Sequence, residues 1–232
     1  MNINTRERCR INHMAGDYWK KCPGMIDVLL ERRSIRKFTD DPISDSDMET
    51  ILKAGHFAPN ASNLQTWEFI AVTNRTLNEE IAKIVDETYN HMSTLVEDRE
   101  AKKNIKYSRF YATFFRDSPL AVFCAAKPYS SQSDDYYRMM GDAGKLYREN
   151  RASVDAGLQS VAAAIENMLL AAWALGIGGV WMTAPMVCRD VIEKKLEVTE
   201  GRLVAVAAFG YPAQPPLPPN RKPLSEVTRY YR

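Results

Sequence analysis

The sequence has no C-x-x-C pair, no apolar run long enough to cross a bilayer, few histidines and no surplus of either charge. Each absence excludes something. Cys9, Cys22, Cys124 and Cys188 are widely separated. A disulfide framework or an iron–sulfur cluster needs more, or closer, thiols, so the four are read as reduced, with Cys124 and Cys188 buried. The longest apolar stretch, Met168–Met182, contains three glycines and falls short of the roughly 18–20 residues of a membrane span. The polar, basic N-terminus lacks the apolar core of a signal peptide. These features predict a soluble, cytoplasmic protein with no membrane partner. Lys+Arg 31 against Asp+Glu 29 leaves a formal charge of +2, too small to call for nucleic acid. His13, His56 and His91 show no ligand spacing, so no metal is expected. The acid-rich Asp40–Asp47 run lacks the pattern of a calcium loop and suits helix capping better. There is no G-x-S-x-G elbow and no G-x-x-x-x-G-K-[ST] loop. The glycines of Gly176–Gly179 follow a helical pattern and precede a strand, the reverse of a dinucleotide fingerprint, which disfavours a stable Rossmann site.

What is present is an ordinary globular composition, 45% hydrophobic and 26% charged. Residues 1–23 read as an N-terminal extension ending at Pro23-Gly24, and 24–232 as one domain. Four runs rich in β-formers predict strands at Trp67–Thr73, Leu120–Ala126, Gly179–Met182 and Leu203–Phe209. Helical spacing predicts six helices: Met25–Arg33 with Ile26, Leu29 and Leu30 on its apolar side, Ser44–Gly55, Leu77–Tyr89, Glu97–Phe114, Asp155–Leu175 and Arg189–Val198. The fifth is the clearest, with Leu158, Val161, Ile165, Met168, Leu169 and Ala172 in register and Glu166 and Asn167 near the stripe's edge. Lys127–Arg151 is polar and aperiodic, and reads as a loop or mobile lid. The proline-rich tail Tyr211–Pro223 should extend across a surface. Strands and helices without a βαβ rhythm place the chain in the α+β class.

Four segments could carry chemistry. Arg32-Arg33-Ser34-Ile35-Arg36 offers guanidinium forks and a hydroxyl suited to phosphate, although such clusters are commonly solvated helix ends. Ala58–Trp67 crowds Asn60, Ser62, Asn63 and Gln65 into one loop, where they could read a planar heterocycle or cap their own backbone. Gly176–Thr183 carries Trp181, a core aromatic or a ligand platform. Arg221, after the prolines, is a second phosphate ligand or a surface charge.

Together and in this order, the four segments resemble the FMN-dependent nitroreductase family. Its opening R-R-S-x-R is matched by Arg32–Arg36, and its A-P-S-x-x-N-x-Q-P-W loop by Ala58–Trp67, with Asn60 for serine and Thr66 for proline. Its small-residue helix, A-L-G-x-G turn and strand are matched by Asp155–Thr183, and its R-K-P-L-x-E-V ending by Arg221–Val227. The resemblance covers about residues 25–228. It implies a mixed or antiparallel sheet flanked by helices, in an interlocked homodimer with FMN between the subunits. It further implies that Arg32, Ser34 and Arg221 hold the phosphate, that Arg36 lies by the flavin N1/O2 edge, and that Arg33 contributes main-chain contacts. Pro59, Asn60 and Asn63 would reach the flavin from the other subunit, and Trp181, Met182 and Thr183 would line the ring. No catalytic side chain is implied, because the flavin carries the reaction. NAD(P)H would be a transient co-substrate, and a nitroaromatic, quinone or similar small molecule the acceptor. Reductive dehalogenation, flavin-consuming chemistry or a non-catalytic flavin sensor are the alternatives.

Overall fold

The computed structural model describes residues 24–215 and 218–232. The extension anticipated over 1–23, with Cys9, Cys22 and His13, lies outside the described residues. The described elements are, in order, α1 (Met25–Glu31), α2 (Asp45–His56), β1 (Trp67–Val72), α3 (Arg75–Thr94), α4 (Arg99–Ala112), β2 (Leu120–Ala126), α5 (Gln132–Met139), α6 (Lys145–Val154), α7 (Ala156–Ala174), β3 (Gly178–Met182), α8 (Arg189–Lys195), β4 (Arg202–Gly210) and α9 (Leu224–Val227).

The sheet is antiparallel throughout, in the order β1-β2-β4-β3. Both of its faces are covered, which is why β2 reads as an unbroken apolar run rather than an alternation. Leu120, Val122 and Cys124 pack on one side with Val161, Ile165 and Met168 of α7. Ala121, Phe123 and Ala125 pack on the other with Ile81 and Val85 of α3. The two-residue period of the strand thus sends alternate side chains into two cores. A bulge between Cys124 and Ala125 shifts the β2–β4 register. At the edges, β3 is joined on its outer side by a parallel bridge between Ser34 and Gly179. β1 carries no further ladder among the described residues.

α7 is the central helix. Asp155 caps it, its carboxylate accepting from Leu158 N at 3.0 Å. α2 lies against it so closely that a Cβ on Gly55 would stand 2.8 Å from Met168 Cγ. Asn167 Nδ2 donates to Ala54 O at 3.1 Å across the same contact. The tail crosses a surface as expected, Tyr211 and Ala213 exchanging backbone hydrogen bonds with Thr39 and Lys37.

The structure corrects three expectations. Lys127–Arg151 is folded, containing α5, a 3-10 turn at Gly141–Gly144 and most of α6. Neither helix buries a residue, so no apolar period marks them. They are held by a capping box between Ser131 and Asp134 and by stacking of Tyr137 on Tyr147. On α1, Ile26, Leu29 and Leu30 face outward, and only Val28 is buried. The α1 helix also ends at Glu31, because Arg32 is already extended and Arg33 Nη1 donates to Leu30 O at 2.8 Å. Finally, Leu158 is exposed, and Gly157 and Ser160 are the buried residues in its turn of α7.

Candidate functional site

The arginine-rich segment becomes a site because it is laid along β3. Ile35 N donates to Gly179 O at 3.0 Å, beside the Ser34–Gly179 bridge. Gly178 makes room, since a Cβ there would lie 2.4 Å from Ile35 Cγ1. Ile35 is buried while Ser34 and Arg36 on either side are exposed, as an extended segment requires. On β3 itself Met182 is buried, Trp181 is 37% exposed and Thr183 is exposed.

Arg32 reaches inward from this segment. Its Nη2 lies 3.3 Å from Glu166 Oε1 on α7, with the arginine side chain only 24% exposed. Its Nε is buried and has no hydrogen-bond partner among the described residues. An unmet buried donor costs about 1–3 kcal/mol, so this arginine is arranged to accept a further oxygen-bearing group. Arg33 has a different task, closing α1 with bonds to the carbonyls of Leu30 and Arg32, both at 2.8 Å.

The second half is the loop before β1. Ser62, Asn63 and Gln65 all take positive φ, at 54°, 52° and 49°. Non-glycine residues pay for that conformation, and strain of this kind gathers where a loop must present groups to a ligand. The loop is pinned by Ala61 N donating to Ser160 Oγ on α7 at 3.1 Å and by Ser62 Oγ sharing a proton with Tyr129 OH at 3.2 Å. Asn60 is spent on the loop itself, accepting from Gln65 N at 2.9 Å and donating to Ala58 O at 3.4 Å. Asn63 and Pro59 are exposed, and the Asn63 amide is free to meet a ligand.

One chain does not bring these halves together. Trp67 pairs with Ala126 and through it with Arg202, whereas Gly179 pairs with Phe209. The loop therefore enters at one edge and one end of the sheet, and Ser34 lies at the opposite edge, seven residues further along β4, or roughly 23 Å. Their contacts on α7, Ser160 and Glu166, are six residues apart, about 9 Å along the axis and on faces turned about 120° from each other. Arg221 lies on the exposed tail, and no hydrogen bond or ion pair joins it to the arginine-rich segment among the described residues.

No group of metal-ligating side chains occurs among the described residues. Burial raises the Cys124 and Cys188 thiols above the ordinary range, which favours the protonated over the nucleophilic form. Among the described residues, no helix is long and apolar enough to cross a membrane.

A family model for the nitroreductase family matches residues 29–211. The chain belongs to this family. An Archaeoglobus fulgidus relative, whose inferred name is NADH dehydrogenase/NAD(P)H nitroreductase, is 30% identical over 81% of this chain and 84% of its own. A BluB-like flavoprotein from Clostridium difficile 630 superposes with a TM-score of 0.83 at 29% identity, over 90% of this chain and all of that one. A Bacteroides fragilis nitroreductase with bound FMN shares the fold, with a TM-score of 0.65 at 22% identity over 90% and 100% of the two chains. In this nitroreductase-family chain, sequence reasoning passed over two structural partners of the site. Glu166 was legible as a charge at the edge of an apolar helix face, though not as the partner of Arg32. Tyr129 sits in a segment with no pattern to mark it.

Proposed function

We propose that this chain is an FMN-dependent oxidoreductase that takes hydride from NAD(P)H and passes it to a nitroaromatic, quinone or similar small acceptor. The observation that carries the reading is Arg32, a half-buried guanidinium with an unmet Nε on a segment laid along β3 beside the exposed Trp181. Those features fit a phosphate-bearing planar cofactor. FMN, when bound, supplies the centre that accepts and returns hydride. Arg32 and Ser34, with Arg221 brought in from the tail, would hold the phosphate as charge-assisted donors. Trp181, Met182 and Thr183 would line the ring. Arg36 would place positive charge where negative charge grows on reduction.

The same reading makes the protein a homodimer. Pro59, Asn60 and Asn63 lie at the wrong edge of the sheet to serve the Arg32 of their own chain. They serve the site of a second copy, Asn63 by its free amide and Asn60 by shaping the loop. The outward apolar residues of α1 and of the tail, including Leu30, Leu224 and Val227, give that copy a surface to cover. A second reading, a reaction that consumes the flavin or removes a halogen from the acceptor, draws on relatives named 5,6-dimethylbenzimidazole synthase and iodotyrosine deiodinase, 27% and 21% identical to this chain.

The test is anaerobic. Bound flavin should bleach with NADH or NADPH and regain its absorbance with a nitroaromatic or quinone. Flavin that neither nicotinamide reduces would refute the oxidoreductase reading. Flavin lost irreversibly on admitting oxygen would select flavin consumption, and halide released from a halogenated acceptor would select dehalogenation.

A further inference from the structure

Under α5 and α6 lies an open cleft of about 670 Å³, whose wall includes none of the flavin-site residues named above. We propose that it binds the acid group of a small organic anion, held by Arg148 and Arg151, and so selects acidic acceptors over neutral ones.

Five cations and two acids line the cleft. Most of that charge is already matched. Arg202 pairs with Asp155 at 2.5 Å, Lys127 with Glu200 at 3.2 Å, and Arg138 with Asp135. Arg148 differs from the rest. Its Nη1 donates only to the backbone carbonyls of Tyr137 and Gly141, at 2.7 and 2.8 Å, and no carboxylate lies within ion-pair distance among the described residues. Its Nε and Nη2 are left to meet a ligand. Arg151, one turn of α6 away, stands 3.6 Å from Asp134 and donates from Nη2 to Tyr129 OH at 3.1 Å. Residues three apart on a helix share a face, and both arginines line this cleft; a guanidinium fork suits a carboxylate or phosphate.

Tyr129 ties this cleft to the flavin loop. Its hydroxyl meets Ser62 at 3.2 Å, within the strained segment that carries Asn63. The hydrogen bond with Ser62, with further bonds to Ser131 and Arg151 and the charge of Arg151, lowers its pKa. A bound anion would thus be linked through Arg151, Tyr129 and Ser62 to the loop that carries Asn63. The volume falls within the roughly 300–1,000 Å³ of small-molecule sites.

The proposal rests on the flavin reading for the acceptor's fate, though the cleft's affinity for anions can be measured without it. Calorimetric titration with 4-nitrobenzoate and its neutral methyl ester should be run on the full chain, flavin-loaded and flavin-free. The acid should bind at least tenfold more tightly, and Arg148→Gln and Arg151→Gln should each erase most of that preference. Arg151→Gln leaves the carbonyl bonds of Arg148 intact, so it reads the site even if Arg148→Gln loosens α5. Two sources of the anion are separable on the flavin-loaded enzyme. A fall in the acid-to-ester ratio of kcat/KM assigns the group to the acceptor, whereas slower flavin reduction by NAD(P)H assigns it to the nucleotide phosphates. Equal affinity for acid and ester would overturn the proposal, and slower flavin reduction in both variants would then give the cleft to the nucleotide phosphates instead. A chain that never retains FMN yet still prefers the acid would overturn the oxidoreductase reading and leave the cleft standing.

Discussion

Asn78 is wholly buried on α3, yet neither polar atom of its side-chain amide has a hydrogen-bond partner among the described residues. Leaving buried polar groups unmet costs about 1–3 kcal/mol each. Asn78→Leu, similar in volume, should raise stability by about 1–2 kcal/mol, a melting-temperature gain of roughly 2–8 °C for a chain of this size. A lower Tm in calorimetry would mean instead that the amide holds an internal water. Arg32 is the opposite case, a buried donor that we assign to the cofactor phosphate. Arg32→Ala should weaken FMN binding by roughly ten- to a hundredfold, from the 1.5–3 kcal/mol of a charged hydrogen bond. Titration by quenching of flavin fluorescence checks this, and unchanged affinity would leave Arg32 as the counter-ion of Glu166 alone.

At the scale of elements, the junction between the arginine-rich segment and β3 depends on a missing side chain. Gly178→Ala would drive a methyl into Ile35. Overpacking of this kind costs typically about 1–3 kcal/mol. The variant should unfold earlier in denaturant and retain less FMN, although it alters no proposed ligand; full retention would separate cofactor binding from this packing. The elements show what a sequence reveals. β2 was legible to the residue, because seven apolar residues in a row match a strand covered on both faces. The course of α7 was legible too, since Val161, Ile165, Met168 and Ala172 fall in one core. α5 and α6 were not, because caps, stacked tyrosines and the Arg148–carbonyl bonds hold them and none of these leaves a hydrophobic period. The arginine-rich segment and the Ala58–Trp67 loop were legible as polar segments able to meet a ligand. Their placement at opposite edges was not, because it follows from strand order, which no local motif encodes.

At the scale of the whole molecule, that placement makes a sharp expectation about stoichiometry. Arg32→Ala and Asn63→Ala chains, each poor in FMN alone, should regain binding at one of two sites when assembled as verified mixed dimers, because one site then holds both native groups. Cofactor content per dimer measures it, and no recovery would place the site within a single chain. The sheet's bare edge has a consequence during synthesis as well. Trp67–Val72 combines aromatic and β-branched residues with a single charge, Glu68, and its outer strand face has no ladder among the described residues. Such an edge is a template for aggregation until something covers it. Glu68 then acts as a gatekeeper, keeping nascent chains apart before they find their proper neighbours. Glu68→Val should raise the turbidity of refolding samples at high concentration more than at low; clear solutions at both would show that this edge is protected by other means.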